Sequence, residues 1–346
     1  MKTAFFVGFS PWKEHLRQVF AGVDCHFIDK SAGELLTGGW PLRMLRAKEC
    51  SVYVWGFKYP SWLKIFCKRL NIPFFHVEDG FVRSVALGAH RATPISLIFD
   101  SQTPYYDSRS ASDLENILNS YDFFQDPSLM ERARKCVNLL LSLRVSKYNL
   151  GRPVDPVSFY GPKIRKRVLV IGQVESDASI EFGCNRKATN NDLVRLAASE
   201  NIDAEIIYKP HPEILHGTRR NNTNPDDVAH LCNLIKEDIS VSDALETIDH
   251  VYTITSLLGF EALLRGKRVT CLGLPFYAGW GATDDRQATQ RRTRELNVFQ
   301  IFAGSYLLHS RYFHPLTGTE ISLEDAIILM HEMTQERKRL LIATEK

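Results

Sequence analysis

The sequence predicts two α/β domains in tandem. Three observations lead there. The chain has 346 residues, roughly twice the usual domain length. Short apolar runs of strand length alternate with stretches of helical period, the mark of a parallel sheet with crossover helices. A proline- and glycine-rich stretch interrupts this alternation in mid-chain, and the pattern then starts again.

In chain order, Ala4–Val7, Cys25–Ile28, Val52–Trp55 and Phe74–Val77 read as strands, with Trp12–Phe20 and Trp62–Leu70 as helices between them. A helix from about Ser128 to Leu143 closes the first half. SKYNLGRPVDPVSFYGPKIRKR, Ser146–Arg167, carries three prolines, two glycines and a basic end, and reads as the connection. Val168–Ile171, Glu205–Tyr208, His250–Ile254 and Val269–Leu272 then read as strands, and Asp192–Ser199 and Leu257–Arg265 as helices. Ser322-Leu-Glu-Asp325 has capping-box spacing and starts a final helix. The expected division is a first domain over 1–150, a linker over 151–167, a second domain over 168–320 and a C-terminal helix over 321–346.

Composition excludes several classes. Apolar content of 44% and charged content of 24% are ordinary for a globular chain. A net charge of +3 gives no strong field for nucleic acid or membrane. Arginines do gather at Arg219-Arg220 and at Arg286, Arg291, Arg292 and Arg294, which suits either a local anion or a solvated face. Seven cysteines without a C-x-x-C pair argue for a reducing cytoplasm and against a zinc site. MKTAFFVGFSPW reads as a first strand rather than a signal peptide. No run approaches the roughly 18 apolar residues of a membrane span.

Ligands of open α/β sheets bind at the carboxyl ends of strands. Four strand ends carry polar groups. Glu78-Asp79-Gly80 follows one strand, either as a simple turn or as a carboxylate pair with one general base. Gln173 to Asp177 follows the next, with Asp177 either capping a helix or acting as nucleophile or acid/base group. Lys209-Pro-His211-Pro reads as a rigid cationic hook for a phosphate, or as a surface turn. Thr255-Ser256 opens a helix, so Ser256 is an N-cap and that helix end is a ready anion site.

Glu261 falls on the apolar stripe of the same helix at about 100° per residue. A carboxylate there needs a partner. Arg265 at i+4 is one candidate, and ligand hydroxyls such as those of a ribose are the favoured one. The aromatic loop with Gly279, Trp280 and Gly281 either covers a ligand or turns the chain. Together these residues predict a GT-B layout: a nucleotide-sugar donor on the second Rossmann-like domain, an acceptor on the first, and a cleft between.

EDGFVRSVALG (Glu78–Gly88), GQVESDASI (Gly172–Ile180), YKPHPE (Tyr208–Glu213), the long block Thr255–Asp285 and YFHPLTGTEIS (Tyr312–Ser322) resemble the β-Kdo glycosyltransferase modules of the bacterial capsule synthesis protein KpsC, the second module most closely. Kdo is 3-deoxy-D-manno-octulosonic acid. The motifs occur in order along nearly the whole chain, which has the length of one module.

The resemblance implies a retaining transfer of Kdo from CMP-β-Kdo. It implies Asp177 as the nucleophile that forms a covalent Kdo adduct, and Glu78 as general base, ahead of Asp79. Lys209, His211 and Ser256 would hold the CMP phosphate, and Glu261 the ribose. Gln173, Ser179 and Arg83 would line the Kdo pocket, with Thr255 beside Ser256. No metal or other cofactor is expected, because a CMP-sugar has no pyrophosphate. A Kdo-glycolipid or capsule-repeat acceptor, no nucleic acid, and a cytoplasmic place with peripheral inner-membrane contact complete the expectation. The alternatives are a transferase for another CMP-linked acidic sugar, such as sialic acid, or a non-catalytic nucleotide-sugar-binding module.

Overall fold

The computed structural model describes residues 2–85, 92–149, 154–215, 217, 219, 222–237 and 239–344. Arg220, the end of the Glu78–Gly88 motif from 86 onward, and 150–153 of the expected connection lie outside the described residues.

The chain forms two compact units. One comprises Met1–Tyr105, Ser112–Ile117 and Ser305–Lys346, and the other Tyr106–Ala111 and Leu118–Gly304.

The first unit is built on β1 (Thr3–Val7), β2 (Asp24–Ile28), β3 (Cys50–Trp55), β4 (Phe74–Asp79) and β5 (Ser96–Asp100). The strands β1 to β4 pair in parallel. Their apolar runs are nearly continuous because both faces are covered. On one face Phe5, Val7, Val52 and Val54 pack with Leu35, Leu63 and Cys67. On the other Phe6 stacks between Phe27 and Tyr53, with ring centroids 4.6 and 5.1 Å away.

The second unit holds β6 (Arg167–Ile171), β7 (Glu205–Lys209), β8 (Asn233–Leu234), β9 (His250–Thr253), β10 (Arg268–Cys271) and β11 (Asp284–Asp285). All neighbours are parallel, in the order β11-β10-β9-β6-β7-β8. This is the doubly wound order of a dinucleotide-binding sheet. Its strand order reverses between β6 and β9, the point at whose carboxyl-end loops such sheets bind ligands.

The described part of the stretch expected to be a linker, 154–167, is docked. Asp155 caps a short helix, Pro156–Tyr160. The buried Arg167 then donates to Glu205, to Thr247 Oγ1 and to the carbonyls of Tyr160 and Gly161. A guanidinium with this many partners satisfies its buried donors, which an unpaired buried cation cannot do.

The last segment also departs from the expected division. Ser305–Lys346 belongs to the first unit. There β12 (Ser310–Phe313) pairs antiparallel with β5, and β13 (Glu320–Ile321) pairs antiparallel with β12. Phe313 is buried with Leu16, Trp55, Val77 and Leu97, which holds the returning chain in place. The completed sheet runs β13-β12-β5-β4-β3-β1-β2, with β5 antiparallel to β4. The final helix, Leu323–Thr344, starts where the capping signal places it: Ser322 Oγ accepts from Asp325 N at 3.0 Å. Within the second unit, its ends meet. A Cβ on Gly304 would come within 2.6 Å of the Leu118 side chain.

Candidate functional site

Three loops of the second unit converge at the reversal point. Gly172 follows β6, and its N–H donates to the Lys209 carbonyl at 2.8 Å. A Cβ on Gly172 would lie 2.8 Å from Pro210 Cα, so only glycine lets the two loops touch. The buried Gln173 side chain then crosses from the β6 loop to the β9 loop. Its Oε1 accepts from Thr255 N at 2.8 Å, and its Nε2 donates to Thr255 Oγ1 at 3.1 Å. Thr255 Oγ1 in turn donates to Ser179 Oγ at 3.3 Å.

Asp177 is reached through this chain of bonds. It caps the helix Ala178–Gly183, accepting from Ser179 N at 2.9 Å and Ser179 Oγ at 2.7 Å. Both bonds end on Oδ1. The side chain is exposed, and Oδ2 accepts none among the described residues. Capping thus occupies one carboxylate oxygen of this exposed side chain and leaves the other without a bond among the described residues. Glu175, two residues earlier, is buried and accepts from Asn190 N, Asn222 N and Thr223 Oγ1. Its carboxylate is committed to holding the loop.

Lys209 ends β7 and is buried. His211 Nδ1 accepts from Glu213 N at 3.2 Å, which leaves the Nε2 proton of the neutral ring to donate. Burial lowers the His211 pKa; the neighbouring Lys209 and Arg219 act in the same sense, while Glu213 and Asp177 oppose. The charge of Asp177 is thus felt at His211.

Ser256 caps the helix Leu257–Leu264, its Oγ accepting from Leu258 N at 3.3 Å. Tyr277 OH donates to the Ser256 carbonyl at 2.5 Å. The aromatic loop after β10 is therefore a buttress rather than a flexible cover. Phe276, Tyr277 and Trp280 are all buried, and Trp280 Nε1 donates to the Phe276 carbonyl. Arg292, expected to meet an anion or solvent, instead donates to the Pro275 and Ala278 carbonyls and pins that loop.

Glu261 is buried on the same helix. Its Oε1 accepts from Lys147 N at 3.0 Å, and its Oε2 has no hydrogen-bond partner among the described residues. Burial raises its pKa, against the pull of Arg265 and Lys147. Arg265 also donates to the Glu261 backbone carbonyl at 2.8 Å and to Ser242 Oγ at 3.1 Å.

In the first unit, Glu78 and Asp79 end β4. Arg83 is fully buried; its Nε lies 2.7 Å from Asp79 Oδ2, and its Nη1 donates to Ser84 Oγ. The arginine expected to line a sugar pocket is thus paired with Asp79. Sequence reasoning missed one residue here. Lys13, in the 3-10 helix Pro11–Phe20 after β1, is buried, and its charge is felt by Asp79 and Glu78. Its signal is its place, a cation just past the carboxyl end of the first strand, the same position that marks the other candidates. Among the described residues no cluster of His, Cys, Asp or Glu is arranged to hold a metal ion, and no helix is long and apolar enough to cross a membrane.

Two α/β units built on parallel strands, with polar loops at their strand ends, define a GT-B-like protein. The chain belongs to the capsule polysaccharide biosynthesis protein family, whose model matches residues 51–168 and 161–314. It is similar to the lipopolysaccharide-processing protein LpsZ of Rhizobium meliloti, 46% identical over 79% of this chain and 62% of that protein. It is similar to the capsule polysaccharide modification protein LipA of Neisseria meningitidis, 36% identical over 96% of this chain and 46% of that one. The chain thus spans about half to two-thirds of these relatives. Two solved chains of Thermosulfurimonas dismutans KpsC are similar along their whole length. The beta Kdo 2,4 transferase superposes with a TM-score of 0.77 at 33% identity, covering 94% of this chain and 97% of that one. The beta Kdo 2,7 transferase gives a TM-score of 0.72 at 33% identity, covering 96% and 99%. The resemblance to KpsC read from the motifs holds.

Proposed function

We propose that the chain is a retaining β-Kdo glycosyltransferase of capsule biosynthesis, with CMP-β-Kdo as donor and a Kdo-containing glycolipid or capsule repeat as acceptor. The observation that supports it best is the exposed Asp177 carboxylate, with one oxygen held by the helix cap, tied through Ser179, Thr255 and Gln173 to the reversal point of a nucleotide-type sheet.

In this reading Lys209, the Nε2 proton of His211 and the helix end at Ser256 receive the CMP phosphate. Positive groups there stabilise the charge that grows on the departing phosphate. Asp177 Oδ2 attacks the anomeric carbon, and the bond to the phosphate oxygen breaks with its electron pair leaving on CMP. Glu78 then takes the proton of an acceptor hydroxyl as that oxygen attacks the same carbon and releases Asp177. Two inversions give net retention, as in retaining glycosidases. Gln173, Thr255 and Ser179 hold the nucleophile, and Glu261 meets the ribose hydroxyls. The reading needs no metal, since a single phosphate is neutralised by protein cations. It is a cytoplasmic activity, at the inner membrane if the acceptor is a lipid.

The test is intact-protein mass after incubation with CMP-Kdo. The wild type should gain one Kdo unit and Asp177→Asn none. An adduct on the Asn variant, or normal transfer by it, would overturn the assignment.

A further inference from the structure

The first unit has a reversal point of its own. Its parallel strands run β2-β1-β3-β4, so the order reverses between β1 and β3. In open α/β sheets ligands enter at the carboxyl ends of the strands flanking such a point. Lys13 follows β1, and Trp55 ends β3. The Lys13 ammonium lies over the Trp55 ring, with the Trp12 ring centroid 5.1 Å away.

Lys13 is only 6% exposed. Among the described residues its ammonium makes no hydrogen bond and no ion pair. A buried cation without a counter-ion is costly, and an aromatic face offsets only part of that cost. Lysine is otherwise easily replaced over a tryptophan by an apolar side chain of the same length. The charged groups around it are Asp79 and Glu78 at the end of β4, Arg83 just beyond, and Lys58 after β3. Burial depresses its pKa to about 7 against the pull of the two carboxylates, so an arriving anion would restore the charge.

We propose that Lys13 is an acceptor-binding residue whose ammonium pairs with the carboxylate of an acidic acceptor sugar, positioning that sugar's hydroxyl at Glu78. This rests on the proposed function, which puts the acceptor hydroxyl at Glu78. An acidic sugar carries its carboxylate within a few ångströms of its hydroxyls, and the buried ammonium is the complementary charge on that side.

The probes are the β-methyl glycoside of Kdo and the methyl ester of the same glycoside. Lys13→Met should raise the KM for the free acid about tenfold, one buried ion pair's worth of discrimination. It should leave the KM for the ester nearly unchanged and leave adduct formation at Asp177 intact. Lys13→Arg should recover part of the loss. Direct calorimetric binding of the two glycosides should show the same loss of preference without any transfer. Lys13→Gln serves if the Met variant does not fold. An unchanged KM for the free acid, an equal loss for acid and ester, or no preference for the acid in the wild type would each overturn the inference. Absence of a Kdo adduct on wild-type protein would instead overturn the proposed reaction, and the binding comparison would still decide the role of Lys13.

Discussion

Glu261 sits where burial and charge conflict most. One carboxylate oxygen is held by a backbone N–H, and the other is buried without a bond among the described residues. Such an atom costs stability until something donates to it. Glu261→Gln keeps the acceptor for Lys147 N and removes the charge. It should leave the melting temperature unchanged or raised while lowering CMP affinity about tenfold, by the arithmetic of one lost charged hydrogen bond. A fall in stability with unaltered CMP binding would make the carboxylate purely structural. His250 offers a pH test. Burial lowers its pKa to about 4 from an ordinary 6.5. The unfolded chain therefore takes up a proton that the folded one refuses. The stability is fully present above pH 6.5 and is lost as pH falls toward 4. Urea midpoints across that range should drop for wild type, and less steeply for His250→Gln, which can still bond Thr270. At this scale strand-end reasoning singles out Asp177, His211 and Ser256 as candidates, because their types are unusual beside apolar runs, and it places all three in loops after β6, β7 and β9. It could not foresee the burial of Arg83 against Asp79, because which residues approach an arginine depends on the folded backbone.

Among the elements, the loops after β6, β7 and β9 act as one piece. Gly172→Ala would push a methyl toward Pro210 Cα, where backbone cannot give cheaply. It should cost about 1–3 kcal/mol of stability by overpacking and weaken CMP binding, because the Lys209–His211 loop must move. Chemical denaturation with a CMP titration reads both. Tyr277→Phe removes the donor to the Ser256 carbonyl and should cost about 1–3 kcal/mol if that carbonyl is left unsatisfied. Strands β1 to β4, β6, β7, β9 and β10 were legible to within a residue or two, since short apolar runs bounded by turn residues have few other interpretations, whereas β5 and the short or edge strands β8, β11, β12 and β13 were not. The aromatic loop was not. Glycine-rich aromatic sequence looks mobile, yet Tyr277 and Trp280 are buried, and a Cβ on Gly259 would come within 2.3 Å of the Tyr277 hydroxyl.

For the whole molecule, the restart of the α/β pattern announced two units, but not which strands each would own. Local pattern carries period and burial, not partnership, and β12 found its partner in β5, more than two hundred residues earlier in the chain. A chain ending at Gly304 should therefore damage the first unit, not the second. It strips β12, β13 and the final helix from that sheet and uncovers the edge of β5. Limited proteolysis of the shortened protein should cut first within Met1–Tyr105 and spare Leu118–Gly304. Preferential cleavage of the latter would contradict the division.

The close approach of Leu118 and Gly304 bears on how such a protein could be rebuilt. Most of the second unit is strung between two neighbouring points of attachment, like a cassette with both leads on one side. A cassette of that kind can be lifted out and exchanged for a cousin's without stretching either lead. Chimeras joined at these two points should fold, whereas a single junction near residue 150 would leave the C-terminal half with β12 and β13 of the first unit and the N-terminal half with the helix Pro127–Ser142 of the second.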